Sequence, residues 1–353
     1  MRYGEVKEIY DDPFHVSEDT TISYLKNIFE FHFENTPYWN AVRKSQKTNL
    51  ESIFEGNLEE TVEKIFNSHL FINNNEFREN WLSFLPRNYK GKLRFYQSSG
   101  TTGPRSLCHW DYEYVKLLVF YLREALDEIY HLDEIYNEFH QMKALLHGPY
   151  GWYQEEMSEL VWSYGGVLYF IATETEGLKR VLEKEGIRGA MKFLEPLVKY
   201  SQRVLEKDRI NLTRTAVQLL DIFVPYRENL EIIMLSGTST TLDALKRYQK
   251  EFEDSTFIPL YGHFAFGDVI GMYTEKEIRY YPNYPFTVIL PLVLEDGTYR
   301  IAKYGERGYT GIIIARPEIL IVKIENELIT RVPPVKPFKW DGFANPNREG
   351  IIC

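Results

Sequence analysis

Cysteine is nearly absent from this chain of 353 residues: Cys108 and Cys353 are the only two. That count leaves no disulfide framework and no cysteine-based zinc site. No apolar run is long enough to cross a bilayer as a helix, so no membrane span is expected. No dense Lys/Arg block occurs, and the net charge is −10, which argues against a general grip on nucleic acid. The opening residues Met1-Arg2-Tyr3-Gly4-Glu5 lack the apolar stretch of a signal peptide, so a cytoplasmic protein is expected. Internal repeats and low-complexity linkers are missing as well.

What is present is an ordinary globular composition, 44% hydrophobic, with a high aromatic share of 15%. The aromatics fill a core, and they also suit the wall of an apolar acyl or aryl pocket. Ile22, Leu25, Phe29 and Phe33 follow helical spacing, and Asn35-Thr36-Pro37 stops that helix. Asp111 is placed to cap a long helix carrying Val115, Leu118, Leu122, Leu126 and Ile129. Short apolar strands at 144–146, 167–171 and 232–235 alternate with helical stretches near 177–207 and 213–223. Such alternation argues for a parallel sheet wrapped by helices. From about Gly267 short strands follow one another, with Asp296-Gly297 as a turn, so that part reads as antiparallel. The expected fold is α/β, mixed sheets flanked by helices with a β-rich C-terminal part. Its expected divisions are a helical 1–90, an α/β 91–266 and a β-rich 267–353.

The richest local signal is Ser98-Ser99-Gly100-Thr101-Thr102-Gly103-Pro104-Arg105. Four hydroxyl side chains and a guanidinium surround two glycines that allow close backbone approach, a donor set suited to phosphate oxygens. An ordinary polar turn between strand and helix is the alternative. A Walker-type loop is excluded, because no Gly-Lys-Ser/Thr ending follows. The string resembles the phosphate loop of the adenylate-forming superfamily, which includes acyl-CoA ligases, aryl-CoA ligases and acyl-protein synthetases. It departs from that pattern at its end: one residue before the proline is missing, and Arg105 stands where lysine is usual.

That resemblance extends to other segments. His32–Trp39 is similar to a segment of phenylacetate-CoA ligase-like proteins and takes no catalytic role here. Gly151, Trp152 and Tyr153, followed by Gly165 and Gly166, are similar to those enzymes' substrate-pocket wall. Ser236-Gly237-Thr238 falls where a glycine-centred segment approaches adenine, at a strand-to-helix junction of the kind that binds ligands in open α/β sheets. Tyr261-Gly262-His263-Phe264-Ala265 resembles a Tyr-Gly-x-Thr-Glu element in which Tyr packs on adenine, Thr meets phosphate and Glu helps hold magnesium. Phe264 and Ala265 break that pattern, leaving His263 as a phosphate donor and Asp268 as a replacement metal carboxylate. Glu327 falls at the position of the carboxylate that binds the ribose hydroxyls.

The resemblance implies an enzyme that activates a small carboxylic acid with ATP and Mg²⁺, then passes the acyl group to a thiol. Arg105, Thr102 and His263 are the implied catalytic residues, and Ser98, Ser99, Gly100, Thr101, Thr102 and Gly103 the phosphate cradle. CoA, an acyl-carrier partner or a protein cysteine are the acceptors it allows. The chain ends soon after Trp340–Arg348, without the family's C-terminal lid, and in this it resembles luciferase-associated acyl-protein synthetases. Their acyl-accepting cysteine makes Cys353 a candidate. The rival expectation is an altered relative that binds nucleotide or acyl ligand, or needs a partner subunit to complete its site.

Overall fold

In the computed structural model, residues 3, 12–46, 49–72, 74–98, 105–236 and 242–348 are described. Helices α1 (Glu18–Asn35), α2 (Pro37–Gln46) and α3 (Leu58–Asn67) come first. Strands β1 (Leu93–Gln97) and β2 (Leu107–Asp111) then pair, and helix α4 (Tyr112–Tyr130) follows. Next come β3 (Lys143–Gly148), α5 (Trp152–Ser163), β4 (Val167–Ala172) and α6 (Thr175–Lys207), the last broken at Gly186. After these run β5 (Leu212–Thr215), β6 (Ile232–Leu235), α7 (Leu242–Glu251), β7 (Thr256–His263) and β8 (Gly267–Tyr273). The last strands are β9 (Ile278–Tyr281), β10 (Thr287–Glu295), β11 (Thr298–Ile301), β12 (Arg307–Arg316), β13 (Ile319–Val332) and β14 (Gly342–Arg348).

These elements form two compact units. One takes Met1–Phe95, Ser106–Leu117 and Arg279–Cys353; the other takes Tyr96–Arg105 and Leu118–Ile278. The first holds an antiparallel sheet in the order β11-β10-β12-β13-β14-β9. Helix α1 starts at Ser17, whose hydroxyl accepts from Thr20 N, with Glu18 and Asp19 suiting the positive end of the helix dipole. Its buried face (Leu25, Ile28, Phe29, Phe33) packs on the sheet. Tyr24 donates to Ala315 O, and Trp39 of α2 donates to Leu320 O at 2.9 Å, so strand carbonyls under the helices are satisfied. Arg316 is fully buried, 3.0 Å from Glu318, with its guanidinium 4.0 Å from the Tyr114 ring centre.

In the second unit the sheet order is β8-β7-β6-β5-β3-β4. Strands β4, β3, β5, β6 and β7 are parallel, and β8 turns back antiparallel to β7. Alternating strands and helices therefore give the expected parallel sheet, and the β-rich C-terminal part is antiparallel. One expectation fails: 213–223 is not a helix. Leu212–Thr215 forms β5 in the middle of the sheet, and a 3-10 turn, Val217–Ile222, follows. Thr213 and Thr215 are β-branched and fit a strand, and every residue of β5 is buried between β3 and β6. Among the described residues no helix is long and apolar enough to cross a membrane.

Candidate functional site

The parallel strands of the second unit share one direction, so Gly148, Thr215 and Leu235 mark a common carboxyl edge. The base of the glycine-rich loop belongs to this unit. Tyr96, at the end of β1, is buried and its hydroxyl donates to Glu155 in the first turn of α5. A Cβ on Gly151 would lie 3.5 Å from the Tyr96 ring. Arg105 donates from Nη1 to Gln97 at 2.9 Å and pairs through Nη2 with Glu176 at 2.7 Å, which closes the loop's base. Ser98 is half-buried at that base. Ser99, Gly100, Thr101, Thr102 and Gly103 lie outside the described residues, as do Gly237, Thr238 and Cys353.

Beneath this edge lies a buried ionic network. Arg214 of β5, Asp268 of β8 and Glu156 of α5 are all almost wholly excluded from solvent. Arg214 pairs with Asp268 through Nη2, and its Nη1 is 3.3 Å from Glu156 Oε1. Its Nε donates to Ser236 Oγ at 3.2 Å, and its guanidinium lies 3.7 Å from the Tyr153 ring centre. The Tyr153 hydroxyl donates to His147 O, so at 3.0 Å from Ser236 Oγ it accepts the serine proton. Asp268 N donates to Glu156 Oε2 at 3.0 Å. Burial first, and then the nearby Asp268 charge, hold the Glu156 carboxyl well above the usual range, so it keeps its proton.

The turn from β7 to β8 lies over this network. A Cβ on Gly262 would stand 2.6 Å from Asp268 Oδ1 and 3.0 Å from the Trp152 ring, so only glycine fits there. The His263 ring stacks on Phe266 at 4.7 Å and 18°, and its Nδ1 accepts from Ala265 N. Nδ1 is therefore unprotonated in the neutral ring and Nε2 carries the hydrogen. Tyr261 lies nearly parallel to Phe266 at 6.4 Å.

Gly151, Trp152, Tyr153, Ser236, Tyr261, Gly262, His263 and Asp268 thus share one end of the second unit, and Tyr96 ties Ser98 and Arg105 to the same end. Gly165 and Gly166 do not join them. They follow α5 and precede β4, at the amino edge, about 20 Å from Gly148 along a six-residue strand. Gly166 N donates to Val161 O there, closing the helix rather than a pocket. Glu327 is half-buried on β13 of the first unit. Asp268 does not fit a magnesium ligand, because it is buried against a guanidinium that already neutralises it. Among the described residues no group of three His, Cys, Asp or Glu is arranged to hold a metal.

Sequence reasoning missed Arg214, Glu156 and His147. His147 is buried, with Nδ1 3.0 Å from Thr215 Oγ1 and Nε2 2.8 Å from Ser201 Oγ. Burial pushes its pKa down to about 4. The one signal for Arg214 was a lone charge inside the short run Leu212-Thr213-Arg214-Thr215.

No protein-family model and no curated protein matches the sequence. Solved structures do. The open conformation of 2-hydroxyisobutyryl-CoA ligase, in complex with 2-HIB-AMP and CoA, superposes with a TM-score of 0.62 at 10% identity, covering 95% of this chain and 71% of that one. The same ligase in its thioesterification state also gives 0.62, at 12% identity over 94% of this chain and 67% of that one. The fold is that of 2-hydroxyisobutyryl-CoA ligase. Within that fold, this chain places its glycine-rich loop base, its β7–β8 turn and the Arg214 network at one end of the second unit.

Proposed function

We propose that the protein activates a small carboxylic acid with ATP and passes the acyl group to a thiol, with CoA as the simplest acceptor. The carboxylate oxygen bonds to the α-phosphorus and pyrophosphate leaves. The thiol sulfur then bonds to the acyl carbon, AMP leaves, and the thiol proton passes to water. The supporting observation is that Arg105, at the end of the run of hydroxyls and glycines, pairs with Glu176 in the first turn of α6, while Tyr96 at the start of that run donates to Glu155 in the first turn of α5, both helices leaving the carboxyl edge of a parallel sheet, where open α/β sheets take their ligands.

Ser98 and the loop hydroxyls donate to phosphate oxygens in this reading, and Arg105 supplies charge to the developing transition state. The Arg105–Glu176 pair is solvent-exposed on both sides, so an incoming phosphate replaces the carboxylate at small cost. Tyr261 and the His263–Phe266 stack offer flat faces to a base, and Gly151 and Trp152 line the acid. Ser236 and Tyr153 act indirectly, since both are committed to Arg214 and to each other.

Pyrophosphate exchange with pooled aryl and fatty acids tests the proposal. Acid-dependent exchange is expected, lowered about 10- to 100-fold by Arg105→Ala through loss of one charge-assisted contact. A second reading, a relative that binds nucleotide without activating an acid, rests on Phe264 and Ala265, whose side chains offer no polar atom, and on the engagement of Asp268 by Arg214. ATP binding without exchange selects that reading; no ATP binding overturns both.

A further inference from the structure

Helix α6 is exposed along most of its length. Its two arms fold back on each other at Gly186, where φ is 67°. A Cβ on Gly177 would approach the Phe193 ring to 2.9 Å, and one on Gly189 would approach Val181 to 3.1 Å. Along an unbroken helix residues 177 and 193 would stand about 24 Å apart, so the element is a helical hairpin. Its second arm is seated at the far end, where Ser201 and Leu205 are buried. Around the turn the surface is open: Ile187 is 77% exposed and Met191 63%. These two lie one turn apart on one face.

Arg188, Lys192, Lys199 and Arg203 recur at intervals of four, seven and four, which places them on one stripe, and all are exposed. The hairpin segment carries eight Lys/Arg against five Asp/Glu, a net +3 in a chain of net −10. Glu176, in the first turn of the hairpin, is the residue that pairs with Arg105 at the base of the glycine-rich loop.

We propose that this hairpin docks a small acidic carrier protein bearing the thiol that receives the acyl group. The proposal rests on the acid-activation reading for the thiol's role, and on the hairpin alone for the docking. An apolar centre beside a basic stripe complements a surface with an apolar centre and carboxylates around it. Two hairpins of this chain would oppose +3 with +3, which disfavours a second copy as the occupant. A uniformly anionic lipid surface would repel Glu183, Glu185 and Glu195 on the same element, whereas a folded partner can match them individually. Each arm beyond its seat is about 16 Å long and the pair about 20 Å wide, a face of roughly 300 Å². That is well below the ~800 Å² per partner of a stable complex and suits a carrier that leaves after each transfer.

The test uses the full chain and an acidic acyl-carrier protein bearing phosphopantetheine, with binding measured by fluorescence anisotropy across a salt series. Binding that weakens with salt is expected, at least tenfold weaker in Arg188→Glu/Lys192→Glu. In Ile187→Ser/Met191→Ser it is expected about tenfold weaker with an unchanged salt slope. Pyrophosphate exchange and transfer to free pantetheine should be unaffected in both double variants. Absent binding, or equal binding by all three proteins, overturns the docking. So does hairpin-dependent binding to phosphatidylserine–phosphatidylcholine vesicles, or a hairpin-dependent dimer in sedimentation, without carrier binding. Hairpin-dependent carrier binding without exchange keeps the docking and removes the activation reading; exchange without carrier binding does the reverse.

Discussion

Arg214 illustrates how much of this molecule depends on single buried groups. Its guanidinium sits among Asp268, Glu156, Ser236 and the Tyr153 ring with almost no solvent, so removing it strands carboxyl groups in a low dielectric. Arg214→Met is expected to destabilise the protein by about 3–5 kcal/mol in denaturant unfolding. Adding Asp268→Asn to that variant should restore part of the loss, since the pair is then removed together; no recovery would mean the contacts do not act as a pair. Glu156 behaves differently because its folded pKa is raised. The native state then binds a proton that the unfolded chain has released above about 4.5, so this group's stabilisation is full below that pH and declines as pH rises. Glu156→Gln, which keeps the shape of the neutral acid, should remove that decline, about 1.4 kcal/mol per pH unit where one proton is at stake. None of this was visible in the sequence. Glu156 lies 58 residues from Arg214 along the chain, and a four-residue strand with one charge carries no period to read.

Elements were legible where one periodicity dominated. The stripe Leu25–Phe33 in α1, the apolar runs of β3, β4 and β6, and the short strands from β10 onward all follow from spacing and turn residues. Strand β5 was not legible, because its place between β3 and β6, rather than its own composition, makes it a strand. The pairing of Trp152 with Gly165 on one wall failed for a topological reason. A helix between parallel strands returns the chain to the opposite edge, so residues flanking α5 cannot face one ligand. The β10–β11 connection shows the converse, a feature fully determined locally. Asp296 and Gly297 both have positive φ, 49° and 82°, the conformation of the tight hairpin turn that Asp-Gly announces. Nothing lies within 4 Å of a Cβ built on Gly297, so Gly297→Ala meets no clash and its cost is conformational alone. A loss of about 1–2 kcal/mol in denaturant unfolding is expected, with pyrophosphate exchange unchanged. A neutral result would show that the turn relaxes to another type.

At the scale of the molecule, the two units each bury their own charged cluster and their own histidines. His32 and His109 lie in the first unit, with pKa values pushed down by burial to about 3 and about 4. His147 lies in the second, pushed down to about 4. A base whose folded pKa is depressed contributes stability above its unfolded value near 6.5, and that contribution is lost as pH falls toward the folded pKa. At pH 5 each such histidine has given up about 2 kcal/mol. Each unit also holds one buried glutamate with a raised pKa, Glu318 in the first and Glu156 in the second, and these oppose the loss on both sides. The first unit carries one more such histidine than the second. Separate cores in a chain of this length make more than one unfolding transition the expectation, with a calorimetric enthalpy exceeding the van't Hoff value. Between pH 6.5 and pH 5 the first unit's transition should lose more than the second's, the additional histidine accounting for about 2 kcal/mol. His147→Gln, which keeps a buried hydrogen-bonding side chain without a titrating ring, assigns the transitions by changing the acid shift of one alone. A single transition with equal van't Hoff and calorimetric enthalpies would mean that the units unfold as one, and equal acid shifts would mean that His32 or His109 takes up its proton in the folded state as it does in the unfolded chain.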